Sequence, residues 1–203
     1  PSTYPPAVTP MPTPKPIPSD DMGTTTVKPA KGTYTGFDTG QEDMPVEIFA
    51  KAPNQRTWII KLPERDSYHV FDGTSGWLAG PGMTVPDVTL ASGNLDRARI
   101  EAILAFPAGI ATMYPRWRVG KTSIEDRDVT IVQGTMPGLQ PANLYFDDES
   151  GLLVRVVRWN ATAVGPVPTE INFGDYRAVA GVKMPFTWTT TSSVSRTSEV
   201  MTL

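Results

Sequence analysis

From Thr33 onward, short runs of alternating apolar and polar residues recur between turn signals, a pattern that predicts a chain built mainly of strands. The clearest run is Arg56–Leu62. There Trp58, Ile60 and Leu62 alternate with Thr57, Ile59 and Lys61, and a period of two places one set on a core face. Pro45–Ala50 precedes it across the turn residues Ala52-Pro53-Asn54. Ser67–Phe71 follows, then Asp72-Gly73, whose residues accept φ > 0 and so suit a hairpin, and then Gly76–Ala79. Strands resume at Trp117–Ile124, Val129–Gly134, Asn143–Phe146, Leu152–Trp159, Thr169–Phe173, Tyr176–Val179, Val182–Thr190 and Arg196–Thr202. Asp126-Arg127-Asp128, Asp148–Gly151 and Ala180-Gly181 supply turns between them.

One segment changes period. Across Asn94–Phe106, Leu95, Ala98, Ala102 and Phe106 recur at helical spacing, with Ile103 beside the stripe. Asn94 is placed to cap this helix, Asp96 suits its positive end, and Pro107 stops it. A further short turn is expected within Gly109–Tyr114. About ten or eleven antiparallel strands, with the helix between the fourth and fifth, predict an α+β half-barrel. In it a highly curved sheet covers one main helix, which acts as plug or lid.

The N-terminus obeys neither period. Pro1–Pro18 contains eight prolines, and proline lacks the backbone N–H and fixes φ near the polyproline value. The stretch therefore cannot join a sheet, and at roughly 3.1 Å per residue it would span about 55 Å. Residues 1–31 are expected to form an extended arm and linker, and residues 32–203 the folded domain. Two readings of the arm stand side by side. Tyr4, Pro5, Pro6, Pro12, Pro14 and Pro16 would touch a partner, because polyproline loses little entropy on docking. Alternatively, the arm is a linker left after an upstream segment was removed. A first residue other than Met predicts a processed or trimmed N-terminus.

Composition narrows the chemistry. Eighteen basic against 21 acidic residues give a net charge of −3, without the concentrated basic footprint that nucleic acid requires. No apolar run approaches the length of a membrane-spanning helix. The absence of cysteine excludes disulfides, thiolate metal sites, iron–sulfur ligation and covalent haem on this chain. His69, between Tyr68 and Val70, is the single histidine, which leaves no set of ligands for a zinc hydrolase. Gly73-Thr74-Ser75-Gly76 lacks the spacing of a nucleophile elbow, and no glycine-rich phosphate loop occurs. Asp147-Asp148-Glu149 lacks the alternating oxygen ligands of a calcium loop and suits a solvated hairpin. No nucleophile–base pair can be assembled, so the expectation is a protein without catalytic residues, metal or cofactor.

The tryptophans offer more. If their strands curve around the helix, Trp58, Trp77, Trp159 and Trp188 would line an apolar cavity with Ile60, Leu95, Ile103 and Phe106. Ordinary core packing is the alternative for all eight.

Five strings occur in order: PVEIFAKAPNQR (Pro45–Arg56), FDGTSGWL (Phe71–Leu78), LYFDDESGLLVR (Leu144–Arg155), VPTEINFGDYR (Val167–Arg177) and AGVKMPFTW (Ala180–Trp188). Together they resemble the outer-membrane lipoprotein-sorting domains of the LolA/LolB-type superfamily. The form they resemble is the one found with reaction-centre-type c cytochromes in Acidobacteria- and Gemmatimonadota-like bacteria. The resemblance covers about Thr33 to Leu203 and implies a periplasmic protein, peripheral to a membrane. It implies two functions. The first is a non-catalytic accessory or scaffold subunit that stabilises a membrane-associated electron-transfer complex, a photosynthetic reaction centre with its cytochrome or antenna subunits. The second is a periplasmic lipoprotein or lipid carrier that holds acyl chains in the half-barrel cavity.

Overall fold

Tight turns join most strands to their sequence neighbours, and this makes the sheet grow as a meander. The computed structural model describes residues 29–36, 39–162, 165–192 and 198–203. The arm residues Tyr4, Pro5, Pro6, Pro12, Pro14 and Pro16 lie outside the described residues. The first half comprises β1 (Ala30–Thr35), β2 (Met44–Lys51), β3 (Gln55–Ile60), β4 (Ser67–Phe71), β5 (Gly76–Ala79) and β6 (Val88–Thr89). Helix α1 (Ser92–Leu104) and a 3₁₀ turn, Pro107–Thr112, follow. The second half runs through β7 (Arg116–Ile124), β8 (Arg127–Thr135), β9 (Ala142–Asp147) and β10 (Leu153–Thr162). It ends with β11 (Gly165–Val179), β12 (Val182–Ser192) and β13 (Ser198–Thr202).

All described strands belong to one antiparallel sheet, in the order β6-β5-β4-β3-β2-β1-β13-β12-β11-β10-β9-β8-β7. The halves meet at the β1–β13 seam, where Thr33 opposes Thr202 and Tyr34 opposes Met201. The chain leaves at one edge, β6, and re-enters at the other, β7, so α1 is carried across the sheet and packs on β3, β4 and β10. The edges do not pair with each other, and the barrel stays open. Two hairpins have two-residue turns in which both residues take positive φ, Glu125-Asp126 and Ala180-Gly181, a geometry that matches the twist of the flanking strands.

Burial follows strand parity. Val46, Ile48, Trp58 and Ile60 face inward with Tyr34 and Met201 across the seam, forming one core cluster. Ile100 of the helix packs with Met113, Tyr114, Ala142, Leu144 and Val156 in a second. Acidic side chains at the β9–β10 turn do local work: Asp147 accepts from the backbone N–H of Ser150 at 2.8 Å.

Several expectations need correction. Thirteen described strands replace ten or eleven, and the helix lies between the sixth and seventh. The β1 strand begins at Ala30, ahead of the boundary expected at residue 32, because its Gly, Lys and Thr residues carry no apolar alternation. The two-residue β6 is too short to show a period. Thr169–Phe173 and Tyr176–Val179 are one strand, since pairing with β12 continues through Gly174. The helix is shifted to Ser92–Leu104, with Ala91 rather than Asn94 at the N-cap and no side-chain capping bond. The β7–β8 turn falls at Glu125-Asp126, and Arg127 already pairs with Ile124.

Candidate functional site

A cavity of about 320 Å³ opens between the C-terminal end of α1 and the inner face of the sheet. Strand register explains its wall. Phe173 of β11 opposes Trp188 of β12, so both present to the same face, and Ile48 reaches that face from β2. Leu104 closes the cavity from the helix, with Met184 and Phe186 further along β12. Val179, 46% exposed at the end of β11, brings the apolar lining out to solvent. Arg56 and Glu101 are its two charged lining residues.

Those two residues belong to a buried ionic network. Arg56 Nη1 donates to Glu101 Oε2 at 2.8 Å, and Arg97 Nε donates to Glu101 Oε1 at 2.7 Å. Arg97 Nη2 continues to Glu199 Oε2 at 3.3 Å. The spacing of Arg97 and Glu101 is i,i+4, so both emerge on one helix face, and that face is turned toward the sheet. Arg158, only 5% exposed, gives Nη1 to Asn160 Oδ1, while its Nε has no hydrogen-bond partner.

Burial and mutual charge shift these groups. Burial alone would raise the Glu101 carboxyl, but Arg97 and Arg56 outweigh it and hold it down to about 2. Burial pulls the Arg56 guanidinium below its usual value despite Glu101, and Arg158 falls to about 10 from burial and the nearby Arg97 cation. His69 is pushed down to about 3 by burial, then by Arg97, and is neutral at pH 7. Its ring lies 4.1 Å from that of Trp58. Three guanidiniums, Arg56, Arg97 and Arg158, thus meet two carboxylates, Glu101 and Glu199.

The network also divides the interior. A second cavity of about 130 Å³ lies on the other side of it, lined by Asn94, Arg97, His69 and Trp58. A gap of about 20 Å³ by Tyr34 and Glu199 sits between. Arg56 and Glu101 line all three spaces. A separate cleft of about 470 Å³ among the far hairpin ends has a mixed wall that includes Glu125, Asp147 and Arg155. Among the described residues no group of three or more His, Asp or Glu could hold a metal ion.

No family model and no curated protein matches the sequence. Solved structures do. A LolA superfamily protein of Nitrosomonas europaea superposes with a TM-score of 0.56 at 13% identity, covering 88% of this chain and 84% of that one. A DUF1329 family protein of Desulfovibrio piger gives 0.53 at 10% identity, over 86% of this chain and 81% of the other. A domain of Vibrio parahaemolyticus named for outer-membrane lipoprotein sorting gives 0.50 at 9%, with the same 86% and 81% coverage. The chain has a LolA-like fold. At these identities the likeness carries the architecture, and the site must be argued from its own residues.

Within the LolA-like fold the eight expected lining residues are dispersed. Trp188 lines the 320 Å³ cavity, and Trp58 lines the two smaller spaces. Ile60 is fully buried in the first core cluster, and Ile103 packs against the second. Leu95 and Phe106 lie near the two ends of α1 and line none of the three spaces. Trp77 and Trp159 also line none, because they have opposite parity to Leu78 and Arg158, which face inward. Sequence reasoning missed Arg56, Arg97, Glu101, Arg158 and Glu199. Two signals were available: Arg56 shares the parity of Trp58 and Ile60, and Arg97 and Glu101 are one helical turn apart. No helix among the described residues is long and apolar enough to cross a membrane.

Proposed function

We propose that this LolA-like chain is a non-enzymatic periplasmic carrier that holds an acyl chain in the cavity beneath α1. The observation that carries the reading is the cavity itself: about 320 Å³ lined mainly by apolar side chains and open to solvent at Val179. Small-molecule sites are typically apolar concavities of about 300–1,000 Å³ with few polar groups. Each methylene moved there from water gains about 0.8 kcal/mol, so one chain suffices for reversible binding. The lipoprotein-sorting name of one structural neighbour supports the same reading, since acyl chains in transit must be shielded from water.

One sequence observation, the eight prolines of Pro1–Pro18, favours a second reading. In it the arm fastens the domain, as an accessory subunit, to a membrane-associated electron-transfer complex with a c-type cytochrome or reaction-centre or antenna subunits.

One experiment separates the two: isolate the chain from gently solubilised native membranes and record mass and absorption spectrum. A free chain carrying lipid supports the carrier. A large complex of fixed stoichiometry with haem or bacteriochlorophyll absorbance sinks it and supports the accessory subunit. For the carrier, Ala50→Phe, which fills the cavity from β2, should abolish lipid loading while the protein stays folded.

A further inference from the structure

Resting on the carrier reading, we infer that the ligand is a single-chain amphiphile with an anionic head, its tail in the 320 Å³ cavity and its acid group turned inward to Arg56 and Arg97.

Volume sets the number of chains. A cavity of about 150 Å³ lined by aliphatic and aromatic side chains holds one benzene ring. By that scale 320 Å³ holds about a dozen carbons. That is one medium-length chain, and far less than the two or three chains of a diacyl lipid or a lipoprotein anchor.

Charge sets the head. The tail cavity is bounded on its inner side by Arg56 and Glu101, and the same pair bounds the 130 Å³ space beyond. That space sets Arg97 and Asn94, as further donors, among the apolar Val70, Leu78 and Leu90, and it has room for a carboxylate or phosphate but not for a second long chain. The network has one guanidinium more than it has carboxylates, and Arg158 Nε has no partner. Buried cations without full compensation are costly, so an entering anion improves this balance while a cation worsens it. His69 is neutral there and adds no charge of its own. A fatty carboxylate and a monoalkyl phosphate share the required chemistry, since both accept charge-assisted bonds from a guanidinium.

The test uses the whole chain at pH 7 loaded with the neutral fluorophore N-phenyl-1-naphthylamine. Dodecanoate, dodecyl phosphate, dodecanol, dodecyltrimethylammonium and a two-chain phosphatidate are compared as competitors. At least one of the two single-chain anions should compete about tenfold or more better than dodecanol, the increment of a hydrogen bond to a charged group, and their ranking distinguishes the head chemistries. The cation should be weakest. Arg56→Met should reduce the anion preference below about threefold while dodecanol binding persists. If that variant does not fold, Arg158→Met, which removes the guanidinium whose Nε has no partner and balances the network, should lower the anion preference in the same way. Equal competition by anion, alcohol and cation overturns the head assignment and leaves the carrier reading standing. Phosphatidate binding as tightly as dodecanoate overturns the single chain. A cavity from which no C12 compound displaces the fluorophore overturns the carrier reading itself.

Discussion

Replacing Glu101 with Gln should destabilise the domain far more than an ordinary ion-pair mutation. Glu101 is 17% exposed and accepts from Arg56, 8% exposed, at 2.8 Å and from Arg97 at 2.7 Å. Gln keeps the shape and one carbonyl acceptor but removes the charge, leaving the three guanidiniums with one carboxylate, Glu199, which bonds Arg97. Breaking a buried pair by removing one partner typically costs about 3–5 kcal/mol. Gln retains part of the hydrogen bonding, so about 3 kcal/mol is expected here. The exposed pair Lys121–Asp148, with Lys121 68% exposed, is the control, and Asp148→Asn should cost far less than Glu101→Gln. Urea unfolding at pH 7 measures both. With a slope of about 2 kcal/mol per molar, the Glu101→Gln midpoint should drop by more than about 1 M. Acid supplies a second readout. The folded carboxyl is held near 2, below its ordinary 4.5, so its contribution is complete above pH 4.5 and is lost as pH falls toward 2. The gap between wild type and variant should therefore close over that window. A Glu101→Gln cost no larger than that of Asp148→Asn, or a gap that does not depend on pH, would refute the buried-network argument.

Gly32→Ala should break the β1–β13 seam, because a Cβ there would lie 1.8 Å from the backbone oxygen of Thr202; Gly174→Ala, with nothing within 4 Å, should be tolerated in the same thermal melts. A melting temperature for Gly32→Ala equal to wild type would contradict the seam packing. His69, held near 3 against an ordinary 6.5, leaves the unfolded chain binding a proton that the folded chain does not. Stability from this group is complete above pH 6.5 and declines as pH falls toward 3, and His69→Phe should flatten the decline between pH 6.5 and 4.5, above the Glu101 window. An unchanged pH slope in that variant would show that His69 is protonated in the folded state.

Strand identity was legible wherever local chemistry decides it. Ser67–Phe71 and Gly76–Ala79 match their observed bounds, since a period-two face and an Asx or glycine turn are properties of a few adjacent residues. The helix was legible as a helix, but its buried face only in part. The apolar stripe of Leu95, Ala98, Ala102 and Phe106 included the buried Ala102 but missed Ile100 and the charged Arg97 and Glu101, which share the face against the sheet. Apolar periodicity cannot find a face whose charges are neutralised by partners from β3 and β13.

Composition and near-neighbour pattern were enough to specify the class of the domain, its antiparallel strands and main helix, and the lack of thiol or multi-histidine chemistry. Where the cavity lies and what bounds it depend on the assembled fold. Its wall joins Ile48, Leu104, Phe173 and Trp188 from four separate elements, and Arg56, Glu101 and Glu199 lie far apart in the chain. They meet because the β1–β13 seam unites the two halves and the crossing of α1 lays one helical face over both. Such long-range juxtaposition follows from strand order and register, which no short stretch of sequence encodes.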